Sequence, residues 1–409
     1  MPVRIDPTTS KFQDQSEYLY FVHFRDEITL GLSGMIPQKM WNCVILRACN
    51  NSLPLRHLSS SVAALSKARN SSQTSVANEH RVFAARYYGT ALRGIQNMIN
   101  TTNESDAARL TLLASLLIFC FECLQGEHEK AVEHIKVAMG MMRNRFSTSR
   151  RHYSLIRRIE TIPGLEDELV DIFVRIDNTL MARVNCPGDR GILNMRYESD
   201  AGFMLDTFRD LREAKQYLDH HMFCAIPYLA RLPHIFMYGT QIPSVDEEET
   251  GAQLLEQFRQ WNVAFAPLFA SARKKPMSQH FIAAASLRCF ELGAEMSVRK
   301  ISAPATMVEN FVKEATEIVV LSRRIVTDSS FRKTFVFECG ILPVLFMTFL
   351  LCTERSVRVE IVKVLKLAEG RVEVTWDAVE IARMVETFLH AEGDVPGSVL
   401  NPNTSIGAI

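Results

Sequence analysis

Between His80 and Arg145 three helix-period patterns follow one another, and the middle one is apolar nearly all round. Ala84, Tyr87, Tyr88, Ala91, Leu92, Ile95, Met98 and Ile99 share one stripe, and Ala131, Ile135, Ala138, Met139 and Met142 form another. Between them runs Ala107 to Leu124, with Ser105 placed as an N-cap and Gly126 placed to close the helix in the left-handed conformation. A helix that is apolar on every side belongs inside a protein. The pattern therefore predicts a buried axis with an amphipathic helix on either side.

The same period recurs along the chain. Residues 12 to 33 read as helical up to Gly34, Pro37 opens a helix carrying Trp41, Val44 and Ile45, and Pro54 opens another with Leu58, Val62 and Leu65. Arg69 to Asn78 is rich in Ser, Asn and Thr and reads as a surface loop. A polar, basic loop is expected over Ser147 to Arg158, then a helix over Leu165 to Arg183, then a long connection from Asn185 to Gly202. Helical patterns resume at Leu205–Leu218, Phe223–Met237, Ala252–Phe269, Gln279–Val298, Thr306–Thr327 and Trp376–Ala391. Asp246 to Glu249 suit the start of the helix that follows them.

No run of alternating β-branched residues is bounded by turn chemistry, so the expected class is all-α: a single multi-helix bundle or solenoid-like helical domain over 1–392, with a flexible tail over 393–409. The apolar run Phe335 to Cys352 is interrupted by Glu338, Gly340 and Pro343. It reads as a strand-free turn and a buried helix, too short to span a bilayer.

Composition narrows the function. The 46 basic residues balance the 46 acidic ones and the pI is near 7.2, which gives no footprint for a polyanion or an anionic membrane. Arg150-Arg151, Arg157-Arg158 and Arg273-Lys274-Lys275 read as solvated helix ends or loops. The first residues lack the apolar core of a secretory signal, and nine scattered cysteines suit a reducing compartment, so an intracellular protein is expected.

The runs RYYGTALRGI and LASLLIFCFECLQGEHEKAVEHIKVAMGMM resemble the middle-region signature of fungal binuclear zinc-cluster transcription factors. Two more blocks do the same: the one from Tyr20 to Leu46 with Trp41, and the one from Cys339 to Phe388. The resemblance spans roughly residues 16 to 392. It implies a regulatory domain that governs activity, effector response and partner contact. It also implies a DNA-reading module of six closely spaced cysteines holding two metals, and these 409 residues contain no such cluster. Cys43 and Cys49 lie on a predicted helix, and no further cysteine follows until Cys120.

Other constellations have structural accounts. Cys120 and Cys123 sit at the C-terminal end of an apolar helix, where dipole and burial disfavour a thiolate. His128 and His134, six residues apart, fall on different faces and do not match a zinc-protease helix. His220-His221 shows no cysteine or carboxylate at ligand spacing. Asp167, Glu168 and Asp171 loosely resemble the magnesium-diphosphate motif of helical terpenoid enzymes, but no second motif accompanies them, and they complement a helix dipole. Gly188 and Gly191 are too few for a nucleotide loop. Glu122, in the apolar axis, needs a partner or a raised pKa; a structural tie to an Arg or a helix N-terminus is expected, with a ligand-sensing role as the alternative.

The sequence thus assigns no catalytic, cofactor-binding or metal-ligating residue. It predicts a nuclear regulator or co-regulator of a metabolic pathway, with secondary metabolism among the candidates, that acts through protein partners, either a DNA-binding factor or the transcription machinery. No direct nucleic acid and no membrane are expected, while a small-molecule effector and a homodimer both fit. The alternative is an enzyme or small-molecule-binding protein of a fungal biosynthetic pathway that reuses the scaffold; a cytoplasmic helical scaffold is a third reading.

Overall fold

Where the chain's polar caps fall decides where its helices end. In a computed structural model, which describes residues 12–34, 36, 38–101, 104–147, 164–183, 204–238, 244–276, 278–303 and 310–394, α1 (Gln15–His23) starts at Asp14. The Asp14 carboxylate accepts from the backbone N–H of Glu17 at 2.8 Å. A π-helical turn, Phe24–Ile28, carries the chain into α2 (Thr29–Leu32), which closes at Gly34 with φ +72°. A second π turn, Met40–Val44, leads into α3 (Ile45–Asn51). Next come α4 (Leu53–Asn70), with Pro54 in its first turn, and α5 (Thr74–Thr101).

The loop expected over Arg69 to Asn78 shrinks to residues 71–73. Its polar residues serve two adjoining helix ends: Thr74 already begins α5, and Ala77 N–H donates to the Gln73 carbonyl. The predicted axis is α6 (Glu104–Gln125), followed by α7 (His128–Ser147) and α8 (Asp167–Arg183). α6 begins ahead of Ser105, so that residue lies inside the helix and not at its cap. Gly126, at φ +83°, ends it as expected. Among the described residues α6 is the one helix long and apolar enough to cross a membrane, but most of it is buried, against α4, α5 and α7. These elements enclose the first hydrophobic core, with Phe21, Trp41, Leu58, Phe119 and Phe173 inside.

A second core is built by α9 (Leu211–Leu229), α10 (Leu232–Tyr238), α11 (Val245–Arg273), α12 (Gln279–Ser302) and α13 (Val312–Thr327). α14 (Ile341–Leu351), α15 (Arg355–Leu367) and α16 (Ala378–Asp394) complete it. Several boundaries differ from the sequence reading; the last helix, expected from Trp376, begins at Ala378, because Trp376 belongs to a short strand. Residues 205–210 precede α9, whose N-cap is Asp210, and the helix runs unbroken through 218–223, past Pro227. α11 begins at Val245, where Ser244 and Glu247 cap each other reciprocally.

The chain is predominantly helical, as expected, and a small sheet is added where a strand-free turn was predicted. β1 (Phe335–Val336) pairs in parallel with β2 (Val372–Glu373), which pairs antiparallel with β3 (Trp376–Asp377). β1 has no polar alternation because both its residues are buried, so it was hidden in a longer apolar run. Phe335, Phe337, Val372 and Val374 enter the first core, while the helices that follow them belong to the second. The sheet therefore ties the two cores together. The predicted stretches over 148–158, 185–202 and 395–409, and the start of the helix expected at Thr306, lie outside the described residues.

Candidate functional site

The stripe Lys215, Asp219, Met222, Phe223, Ile226 and Leu229 recurs at three and four residues, which places all six on one face of α9. Phe290, Gly293, Ala294 and Ser297 do the same on α12, and Pro343, Val344 and Met347 on α14. With Arg175 and Thr179 of α8, Trp376 of β3 and the segment Phe337–Cys339, these faces line a half-open pocket of about 210 Å³ between the two cores. Gly293 allows the close approach of α12 to α14, since a Cβ there would stand 3.1 Å from Val344 Cγ1.

Most of the wall is apolar, and one end is ionic. Lys215 Nζ donates to both Asp219 oxygens at 2.9 and 2.8 Å. Arg175 spans Asp219 at 3.0 Å and Glu338 at 2.9 Å, and Lys215 stands 3.5 Å from Glu338. The Gln38 side chain also donates to Glu338. Two cations and two carboxylates from α8, α9 and the loop after β1 thus close a neutral cluster. Beside it Cys339 Sγ donates to Thr179 Oγ1 at 3.4 Å, and burial pushes the Cys339 thiol up to about 12, so it stays protonated.

A smaller cavity of about 50 Å³ lies on the other side of Lys215, Asp219 and Glu338. It is bordered by the buried pair Arg371 and Glu373, 3.2 Å apart. Both Glu373 oxygens are used: Oε2 accepts from the N–H groups of Gly340 and Leu342 at 2.9 Å each, capping α14, while Oε1 faces Arg371.

The sequence assigns no site role to any of these residues, although it carries two signals of them. Lys215 and Asp219 stand at i and i+4, and Glu338, Gly340 and Pro343 interrupt an apolar run. The interruption marks the site, where it was read only as ruling out a membrane span.

The cysteine, histidine and acidic constellations of the sequence lie elsewhere. Cys120 and Cys123 are fully buried in α6, and burial raises the Cys120 thiol well above its ordinary value. Glu122 is tied, but to neither an Arg nor a helix terminus: Tyr88 Oη donates to it at 3.1 Å, and His134 Nδ1 stands 2.8 Å from both its oxygens. His134 is brought back onto α6 because α7 returns antiparallel to it. Contrary to expectation, His220 does have a cysteine at ligand spacing, with Cys224 Sγ 4.0 Å from its Nε2 one helical turn on. His221 is held neutral, its pKa lowered to about 3 by burial and by His220. Asp167 and Glu168 occupy the first turn of α8, where Glu168 pairs with Lys39 at 2.8 Å. Among the described residues no group of three His, Cys, Asp or Glu is placed to hold a metal ion.

Residues 18–169 match the family model described as the fungal specific transcription factor domain. That range runs from α1 into the first turn of α8 and contains most of the first core. The resemblance carried by the α5–α7 motifs is thereby shown, and it supports a role in transcription regulation and a nuclear protein. No curated protein and no solved structure matches the chain.

Proposed function

We propose that this chain regulates transcription of a metabolic pathway, of the secondary-metabolite kind, from within the nucleus, and that it does so through a protein partner without reading DNA itself. The observation that carries the reading is the family match over residues 18–169, which covers most of the first core. The even balance of 46 basic and 46 acidic residues supports the second half, because unaided binding to a polyanion rests on phosphate neutralisation by an excess of Lys and Arg. The partner would be a DNA-bound factor or the transcription machinery.

Two measurements on the full chain test the two halves separately. Fused to a heterologous DNA-binding domain, the chain should change expression of a reporter carrying that domain's operator; a silent fusion that is nuclear and folded overturns the regulator reading. Purified, it should not retard promoter fragments at physiological salt. Retention of one fragment over others under those conditions overturns the indirect mechanism and leaves the regulatory role standing.

A further inference from the structure

We propose that the cavity between the cores binds a neutral, hydroxyl-bearing ring compound of about ten to fifteen non-hydrogen atoms. Size sets the first limit. An apolar cavity of about 150 Å³ admits benzene, so the 210 Å³ of this half-open pocket, lined by α8, α9, α12 and α14, admits a fused bicycle. Shape sets the second. Phe223, Phe290, Phe337 and Trp376 line it with aromatic rings, and Met222 and Met347 add thioethers that adapt to a planar guest.

Charge sets the third limit. Arg175, Lys215, Asp219 and Glu338 already neutralise one another. An anionic guest would have to draw off Arg175 or Lys215 and leave a carboxylate without its counter-charge; a cationic guest would do the reverse. A hydroxyl avoids both costs, because an ionised carboxylate has about four lone-pair sites and can accept one more O–H without losing a cation. The hydroxyl therefore points toward Asp219 and Glu338, and the ring lies among the aromatic and thioether side chains.

The walls belong to both cores: α8, Phe223 and Phe337 on one side, the rest of α9 with α12 and α14 on the other. A guest therefore contacts both at once and favours the arrangement that fits it. This effector role rests on the regulatory reading above; the binding site does not.

The test uses the full chain and three probes of one size: 1-naphthol, 1-naphthoate and 1-naphthylmethylammonium. 1-Naphthol should bind at one site, raise Tm and quench tryptophan emission, and both charged probes should bind at least about tenfold more weakly. Ala294→Leu fills the cavity from α12 and Met222→Trp fills it from the half-exposed wall of α9; each should weaken 1-naphthol at least about tenfold while the helical circular dichroism is kept. Charged probes that bind as tightly as 1-naphthol overturn the proposal on the wild-type chain alone, even where neither variant folds. So does an absence of 1-naphthol binding up to about millimolar concentration, and so does undiminished binding to a folded filled variant. Binding that leaves the tethered reporter unchanged overturns the effector role and keeps the site.

Discussion

The indole of Trp41 lies flat on the ring of Phe337, with centroids 4.5 Å apart and 21° between the planes. Both side chains are buried, and Phe337 also touches Phe335 and Phe119 and forms part of the cavity wall. One stack thus joins the π turn ahead of α3 to the segment that follows β1. Trp41→Ala should cost about 3–5 kcal/mol of unfolding free energy. Trp41→Phe keeps a stacking face and removes an indole N–H that finds no acceptor among the described residues, so it should cost less than half as much. Urea unfolding of both variants checks the order, and equal costs would show that the stack contributes nothing beyond volume.

Arg371 and Glu373 are 4% and 1% exposed, and Glu373 caps α14 from a strand of the sheet. Arg371 has further contacts, with the Arg332 carbonyl at 3.0 Å and the Phe331 ring at 4.9 Å. Removing one partner leaves a buried charge unpaired, so Glu373→Ala should destabilise by about 3–5 kcal/mol. Glu373→Gln keeps an acceptor for the helix N-terminus but not the charge, and should fall between Ala and wild type. Hydrogen exchange at the first turn of α14 should accelerate in both variants, more strongly with Ala.

Val374 occupies the left-handed region at φ +57°, a conformation that costs a β-branched residue, yet its side chain is fully buried in the first core. Burial holds the strain in place, and its N–H donates to the Val336 carbonyl at 2.8 Å. Val374→Gly loses the side chain but relieves about 1–2 kcal/mol of backbone strain, whereas Val374→Ala loses most of the side chain and keeps the strain. Alanine should therefore be the more damaging of the two, by about 1 kcal/mol. Chemical denaturation of the pair checks this, and the reverse order would mean that the turn relaxes once the side chain is gone.

The helices were legible because each is written locally. The stripe Ala84, Tyr87, Ala91 and Ile95 needs only its own spacing to be read, whereas the start of α11, set at Ala252 by hydrophobic period, is seven residues late because the local Ser244 and Glu247 box is polar. The sheet was not legible, since β1 and β2 are two residues each and meet only through a pairing between distant parts of the chain. The site was hidden for the same reason. Arg175, Lys215 and Glu338 are unremarkable until α8, α9 and the loop after β1 come together, and the same holds for Glu122, whose partner His134 lies on the next helix. What the sequence could show was the conflict: a Glu in an apolar axis, and another in an apolar run.

Glu291 shows the same conflict in α12, where it is fully buried. Asn262 Nδ2 donates to it at 2.5 Å and Arg288 Nη1 at 2.7 Å, while Glu295 stands one turn on. Burial pushes its pKa from 4.5 up to about 8, against the opposing pull of Arg288. Because the folded value lies above the unfolded one, the folded chain holds a proton that the unfolded chain has released across that interval. This group's contribution to stability is therefore complete below about pH 4.5 and is lost as pH rises to about 8. Glu291→Gln carries no titrating proton, so the difference in unfolding free energy between it and wild type should shift in favour of the variant by up to a few kcal/mol between pH 5 and pH 8.5. Denaturant unfolding of both proteins across that range reads the difference directly and cancels the histidines they share. A constant difference would mean that Arg288 keeps Glu291 ionised throughout.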